Sequence, residues 1–252
     1  MNLTTIEMIQ WEDYDILQLP AIAKDNQSIF CFLIDQSEIK PLIIEYFYSK
    51  LSNDDQRQAL TFHKVNDYRL FVVTRFATNV ILQKILQIHP LIYKNSYGKP
   101  MLANNPLHFN LSHSGDYILL GICPNQPIGV DIELINSNFE FSDDILNFLH
   151  QSEKIVISNL SEQYHKLAFY DYWTKKEAIA KGLGHGLNID FSTFFIDLNL
   201  SQGPMTVETP TLKITSWNIY TLNFKKHYIG ALAHPQSNKK IHYHLIHPEQ
   251  FL

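Results

Sequence analysis

The chain has 252 residues, of which 45% are apolar and 13% aromatic, so it can bury a sizeable core as one large domain or as two of about 125 residues each. Its formal net charge of −5 argues against a protein that binds nucleic acid or an anionic membrane surface through bulk charge. The chain has no uncharged apolar run of membrane-spanning length, and its first residues lack a secretory pattern. We therefore expect a cytoplasmic protein without nucleic-acid or membrane partners.

The first half alternates strand-like and helix-like segments, which favours an α+β architecture. The longest helical pattern, from Asp67 to Ile88, carries a broad apolar stripe and is predicted to be the first core helix. A turn-rich stretch with Tyr97, Gly98, Lys99 and Pro100 follows it. The other predicted helices are Ser37–Lys50 and Asp54–Phe62, and the predicted strands are Ser28–Ile34, Leu107–Leu111 and Tyr117–Cys123.

The second half repeats this plan, with a long helix predicted over Glu162–Gly182 and ended by glycines. Short helices are predicted at Asp143–His150 and Ser152–Asn159, and strands at Ile128–Leu134, Thr211–Trp217, His227–Ala233 and Ile241–Ile246. The segment YILLGICPN at 117–125 resembles YIGALAHPQ at 228–236, about half a chain apart. Two related halves would explain this similarity, and we place their boundary at residues 124 and 125, giving subdomains 1–124 and 125–252.

Two carboxylates stand two residues apart in the predicted strand Ile128–Leu134. Side chains at this spacing point to the same face of a strand, so Asp131 and Glu133 have their origins about 6 to 7 Å apart, a suitable distance for binding one hard cation. An isolated pair of this kind is more often a solvated strand face. Here the flanking apolar residues predict a central strand, and Gly129 leaves room for a close approach.

The long second-half helix carries Trp173, Glu177 and Lys181 at intervals of four, so the three lie along one face. A surface ion pair is the plain interpretation of Glu177 and Lys181. The aromatic neighbour and the helix C-terminus, where glycines would let a phosphate reach Lys181, favour a functional one. Lys175 lies off this face, and we expect it to matter less than Lys181.

A third polar group, Asn110-Leu111-Ser112-His113-Ser114, follows a strand-like segment. A histidine between two serines can bind a phosphate through hydrogen bonds, although a single histidine at a strand end is most often structural. Three histidines near the C-terminus, at 242, 244 and 247, are also interpreted as structural.

Taken together and in order, the segments FNLSHSGD, IGVDIE and WTKKEAIAKGLGHGL resemble the motif set of the 4′-phosphopantetheinyl transferase superfamily. The upstream YGKP and the chain length resemble the Sfp-type branch of that family. The fainter similarity extends from Phe62-His63-Lys64 with Arg69 to Ala233-His234-Pro235. The resemblance implies a fold of two similar α+β halves in pseudo-twofold relation, with the active site in the cleft between them.

The resemblance also implies an activity. Members transfer the phosphopantetheine arm of coenzyme A to a serine of a carrier protein and release adenosine 3′,5′-bisphosphate, with Mg²⁺ on the diphosphate. Carried over by position, Asp131, Glu133 and Glu177 would hold the metal, and Glu177 would also be the base for the carrier serine. Lys181 would assist the leaving group.

The resemblance also assigns a nucleotide-binding set. Ser112 and His113 would bind the nucleotide end of coenzyme A, and Lys99 would line the same cleft. Asp54 and Leu70 stand where the family often has groups for the 3′-phosphate, which leaves Arg57, Lys64 and Arg69 for that role.

We expect a monomer that serves acyl carrier proteins or carrier domains of polyketide and peptide synthases. Two alternatives use the same residues. One is a Mg²⁺-dependent hydrolase of a nucleotide diphosphate, and the other is a non-catalytic module that binds coenzyme A.

Overall fold

The computed structural model describes residues 9–104, 106–139, 142–184, 189–197, 202–209, 212–235 and 237–252. The helices are α1 (Pro41–Ser49), α2 (Asn53–Ala59), α3 (Val65–Leu86), α4 (Asp143–Leu146), α5 (Gln151–Ser158) and α6 (Glu162–Leu183). The strands are β1 (Glu12–Asp13), β2 (Ser28–Asp35), β3 (Ile92–Lys94), β4 (Pro100–Leu102), β5 (His108–Ser114), β6 (Tyr117–Cys123), β7 (Gly129–Leu134), β8 (Gln202–Thr209), β9 (Leu212–Leu222), β10 (Tyr228–Pro235) and β11 (Lys240–Ile246). Short 3-10 helices lie at Ile16–Lys24, Phe191–Thr193 and Pro248–Phe251. The predicted α+β class is confirmed.

Two larger sheets and one hairpin contain these strands. The first sheet has the order β1-β11-β2-β6-β5, in which β11 runs parallel to β1 and β2 while the remaining pairs are antiparallel. The second sheet is antiparallel with the order β7-β10-β9-β8, and β3 pairs with β4 as a hairpin. The last strand of the chain therefore belongs to the same sheet as the strands of the first half.

The core has three parts, divided by the faces of the strands. In β2, Phe30 and Phe32 pack into a cluster with α1 and α3, whereas Ile29 and Cys31 face a second cluster that includes Val130 of β7. Strand side chains alternate between faces, so a strand buried on both sides reads as a continuous apolar run. The third cluster packs α6 against the second sheet. The two sheets therefore share the middle cluster, which fixes their edges relative to each other.

Most predicted elements lie where the sequence placed them, with shifted ends. Helix α1 begins at Pro41 rather than Ser37, because proline suits the first turn of a helix. Helix α3 ends at Leu86, before Gln87, which has a left-handed φ of 56°, and α6 ends at Leu183, before Gly184, which has a φ of 80°. The predicted strand from Thr211 is β9, which begins at Leu212 and extends to Leu222; Thr211 lies outside the described residues.

The two cysteines, Cys31 and Cys123, are free and buried. In the part of the chain that is described, no helix is long and apolar enough to cross a membrane.

Candidate active site

Close packing between two glycines brings α6 against β7. A side chain on Gly129 would overlap the carbonyl group of Ala178 and the backbone nitrogen of Gly182, and one on Gly182 would meet the ring of Trp217. The room that Gly129 leaves is therefore occupied by the backbone of α6. This contact places the polar face of α6 beside the carboxylates of β7.

Asp131 is at the centre of the polar cluster and is only 2% exposed. Its Oδ1 accepts hydrogen bonds from Lys181 Nζ at 2.6 Å and from Ser112 Oγ at 2.8 Å. Lys181 Nζ also donates to Ser112 Oγ at 2.9 Å. Asp131 Oδ2 is buried and has no hydrogen-bond partner among the described residues. One oxygen of this carboxylate is therefore satisfied, and the other is available to a ligand.

Two further carboxyl groups, those of Glu133 and Glu177, lie beside Asp131, and both have raised pKa values. Burial raises the pKa of Glu177 to about 7, the negative charge of Asp131 adds to the rise, and Lys181 opposes it. Burial and then Asp131 also raise the pKa of Glu133, which accepts hydrogen bonds from Trp173 and, at 3.1 Å, from Ser114 Oγ. Neighbouring negative charges in a buried site favour the protonated form of a carboxyl group. If all three carboxyl groups were ionised, their negative charge would exceed the single positive charge of Lys181.

Strand β5 supplies one side of this cluster and the wall of a cavity on the other. Asn110, Ser112 and Ser114 point to β7, where Asn110 Oδ1 accepts from Val130 N at 2.8 Å and Ser114 Oγ accepts from Leu134 N at 3.0 Å. On the opposite face, His113 lines a cavity of about 350 Å³ between β5, α3 and the β3–β4 hairpin. Partial enclosure, with the charge of Lys181, lowers the pKa of the His113 ring.

Ser112, Asp131, Glu133, Glu177 and Lys181 therefore meet in one cluster, with His113 at its border. The roles of Asn110 and Ser114 were not predicted. Their alternation with Ser112 on β5 was a usable signal, because residues two apart share a strand face.

Of the four basic residues predicted to bind the nucleotide, three contact other groups of the protein and the fourth, Lys64, is exposed. Lys99 Nζ donates to the carbonyl oxygens of Gly182 at 3.1 Å and Ile128 at 3.4 Å, and burial lowers its pKa to about 8. Arg69 pairs with Asp116 at 2.9 Å. Arg57 is exposed and pairs with Asp54, and Lys64 is exposed just before α3.

Lys175 lies off the helix face that carries Trp173, Glu177 and Lys181, but it is not exposed to solvent. Lys175 is 1% exposed and pairs with Asp171 at 3.0 Å. Lys176, its neighbour, is fully buried against Glu153 at 2.9 Å. The side of α6 away from Lys181 is therefore not solvated, because this helix is buried on both sides.

Among the described residues, no group of three His, Cys, Asp or Glu side chains is arranged to hold a metal ion as it stands. The predicted three-carboxylate ligand set is therefore not preassembled, since Asp131 turns one oxygen to Lys181 and Ser112. The residues nevertheless fit a hard divalent cation on one observation: Asp131 Oδ2 is buried without a partner beside two carboxyl groups with raised pKa values.

Comparisons with known proteins all show similarity to phosphopantetheinyl transferases. A family model described as the 4′-phosphopantetheinyl transferase superfamily matches residues 127–233, which include β7, α6 and most of β10. The chain is 28% identical over 189 residues to the 4′-phosphopantetheinyl transferase gsp of Aneurinibacillus migulanus, covering 70% of this chain and 78% of that protein. It is 26% identical over 171 residues to the 4′-phosphopantetheinyl transferase Sfp of Bacillus subtilis, covering 66% and 74%. The human L-aminoadipate-semialdehyde dehydrogenase-phosphopantetheinyl transferase is 31% identical over 138 residues, covering 48% and 44%.

Proposed function

Because the chain belongs to the 4′-phosphopantetheinyl transferase superfamily, we propose that it transfers the 4′-phosphopantetheine arm of coenzyme A to a serine of an apo carrier protein. The observation that carries this proposal to individual residues is the buried cluster of Asp131, Glu177 and Lys181. It combines acidic groups that can bind a cation or accept a proton with a cation that can stabilise a leaving phosphate.

We propose the following roles. Glu177, with its pKa near neutrality, accepts the proton of the carrier serine as the serine oxygen bonds to the β-phosphorus. The bond from that phosphorus to the bridging oxygen breaks, and the electron pair leaves with adenosine 3′,5′-bisphosphate. Lys181, which pairs with Asp131 in the free protein, neutralises the leaving phosphate. Ser112 and His113 bind the nucleotide side of the diphosphate.

We also propose Mg²⁺ as the cofactor, held by Asp131, Glu133 and Glu177. When bound, Mg²⁺ would neutralise the diphosphate oxygens and strengthen the electrophile. The support is the unpartnered Asp131 Oδ2 and the raised pKa values of both glutamates. Holding three carboxylates charged in one buried place without a cation is costly.

The pseudo-twofold arrangement is a further proposal, and the order of elements supports it. Within each sheet three strands follow the same pattern, β2-β6-β5 in the first and β7-β10-β9 in the second. Each set contains a helix of 22 residues, α3 or α6, between its first strand and the next. The similar segments at 117–125 and 228–236 correspond to the central strands β6 and β10. The boundary at residues 124 and 125 stays a prediction and lies in the connection between the sheets.

We infer that the acceptors are acyl or peptidyl carrier proteins of fatty acid, polyketide or peptide synthesis, and that the enzyme acts as a monomer. Carrier domains of this kind are generally acidic, and this chain has a net charge of −5. Recognition must then depend on a local basic or apolar surface.

Intact mass spectrometry of an apo carrier protein tests the function. After incubation with this protein, coenzyme A and Mg²⁺, the carrier should gain the mass of one phosphopantetheine. Excess EDTA should abolish the gain, and a carrier whose acceptor serine is replaced by alanine is the control. Breakdown of coenzyme A with an unmodified carrier would instead identify a hydrolase that uses water as nucleophile.

A further inference from the structure

Lys181 places a positive charge close to the unpartnered oxygen of Asp131. Its Nζ is 2.6 Å from Asp131 Oδ1 and 2.9 Å from Ser112 Oγ. The other oxygen of the same carboxylate, Oδ2, is buried and has no hydrogen-bond partner among the described residues. A metal ion on Oδ2 would therefore lie near the ammonium group on Oδ1, and like charges repel strongly in a buried site. In this position Lys181 weakens the attraction of the cluster for a divalent cation.

Lys181 is also the part of this contact that can move. Its side chain is 26% exposed, whereas that of Asp131 is 4% exposed, and it projects from the last turn of α6 on a flexible aliphatic stem. The two other lysines of this part of the helix differ, because Lys175 and Lys176 are at most 1% exposed and each pairs with a buried carboxylate. Of these three lysines, only Lys181 can exchange its partner without opening the core.

We propose that Lys181 holds Asp131 in the free enzyme and moves to the diphosphate when coenzyme A binds, so that the metal and the donor bind cooperatively. The inference rests on the proposed function, in which Lys181 neutralises the leaving phosphate. The move takes a positive charge away from Asp131 at the moment when the diphosphate supplies further oxygen ligands, as is usual for Mg²⁺. Each of the two ligands then strengthens the binding of the other by the same factor.

The same exchange favours release of the products. Transfer divides the diphosphate, because one phosphate stays on the carrier and the other leaves with the nucleotide, so the metal loses a linked pair of phosphate ligands. Lys181 can then return to Asp131 and weaken the remaining attraction for the cation. A lysine that alternates between a carboxylate and a phosphate therefore makes metal binding depend on an intact donor.

Metal binding without catalysis tests the proposal. The probe is Mn²⁺, which shares the preference of Mg²⁺ for carboxylate ligands and whose unbound fraction is measured by electron paramagnetic resonance. Lys181→Met removes the charge and keeps a flexible aliphatic side chain, so the free variant should bind Mn²⁺ about tenfold more tightly than the wild type. Coenzyme A should raise the affinity of the wild type for Mn²⁺ about tenfold and that of the variant less than about threefold. Binding of Mn²⁺ to coenzyme A alone is titrated separately and subtracted.

Two further variants separate the charge from the contact. Lys181→Arg keeps a positive charge beside Asp131, so its affinity for Mn²⁺ in the free enzyme should equal that of the wild type. Lys226→Met makes the same chemical change as Lys181→Met at an exposed position. It should alter neither the affinity for Mn²⁺ nor the effect of coenzyme A on that affinity.

Thermal melts supply a second measurement, again without coenzyme A. A cation that binds the folded state stabilises it in proportion to the logarithm of its concentration relative to Kd. The same excess of Mg²⁺ should therefore raise the melting temperature of Lys181→Met more than that of the wild type. Lys226→Met should respond to Mg²⁺ as the wild type does.

The proposal is overturned if free Lys181→Met binds Mn²⁺ as weakly as the wild type or more weakly, since Lys181 would then support the metal ligand instead of opposing the metal. It is also overturned if coenzyme A raises the affinity for Mn²⁺ equally in both proteins. These outcomes are separate from a failure of the proposed function. A wild-type enzyme that modifies no carrier would refute the function, while the Mn²⁺ titrations, which use no carrier, would still decide the role of Lys181.

Discussion

Lys175 and Lys181 belong to the same helix, but their surroundings give them different roles. Lys175 is buried against Asp171, whose other oxygen accepts a hydrogen bond from Thr221 at 3.2 Å. Lys181 is partly exposed, with 26% of its side chain accessible, and pairs with Asp131 in the cluster beside the cavity. Removing one partner of a buried ion pair leaves an uncompensated charge, whereas a partly exposed partner can be replaced by water.

We therefore predict different results for the two alanine variants. Lys175→Ala should lower the free energy of unfolding by about 3 kcal/mol, because it leaves Asp171 buried without its cation. Lys181→Ala should lower kcat at least 100-fold while its melting temperature changes less than that of Lys175→Ala. Carrier modification rates and thermal melts measure the two effects, and the exposed Lys226→Ala is the control for both. Equal melting temperatures for the two variants would contradict this division of roles.

At the scale of residues, the sequence predicted which side chains of α6 share a face, but it did not predict which groups those side chains contact. A spacing of four places Trp173, Glu177 and Lys181 together, and helical geometry alone is enough for that. The pairing of Lys181 with Asp131 depends on how closely α6 approaches β7, which the Gly129–Gly182 contact sets. The burial of Lys175 could not be predicted, because a lysine on a helix is normally solvated.

At the scale of elements, the β3–β4 hairpin of the first half supports the end of α6. Asn95 Nδ2 donates to the carbonyl oxygen of Gly184 at 2.9 Å, and Lys99 Nζ donates to that of Gly182. The last carbonyl groups of a helix have no partner within the helix, and a cation there interacts favourably with the helix dipole. The hairpin thereby holds the turn that carries Lys181.

Lys99→Met decides between this supporting role and direct binding of the nucleotide. If Lys99 supports α6, the variant should lose about 2 kcal/mol of stability, because two carbonyl groups lose a charged donor. Its KM for coenzyme A should then rise less than tenfold. If Lys99 binds a phosphate of the donor, the melting temperature of the free variant should stay level and KM should rise by more than that. Lys226→Met is the control, and denaturant unfolding and steady-state kinetics are the measurements.

Strands β8 and β1 were missed by sequence reasoning for two different physical reasons. Strand β8 contains glycine, proline and several polar residues, which are unfavourable in strands, and it lies at the edge of its sheet, where such residues are tolerated. Strand β1 has two residues, too few for any periodicity. By contrast, β2 and β6 were recognised, because strands buried on both faces have continuous apolar sequences. Strand β7 was recognised from apolar residues that alternate with Asp131 and Glu133.

At the scale of the whole molecule, the two halves are joined by shared structure. The middle core cluster takes side chains from both sheets, including Ile29 and Leu119 of the first and Val130 and Leu232 of the second. Strand β11 returns from the second half and pairs with β2 in parallel. The sequence predicted two similar halves but not this return, since nothing in a short apolar strand specifies its neighbour.

We predict from the shared core that the protein unfolds in one cooperative transition. Val130→Ala alters the middle cluster and Val73→Ala alters the cluster of the first half, and both valines are fully buried. Each variant should lose about 2 kcal/mol and shift a single calorimetric peak by roughly 4 to 8 °C. The calorimetric and van't Hoff enthalpies should agree for the wild type and for both variants. If the halves were independent, Val73→Ala would move only one of two peaks, and a calorimetric enthalpy well above the van't Hoff value would show the same independence.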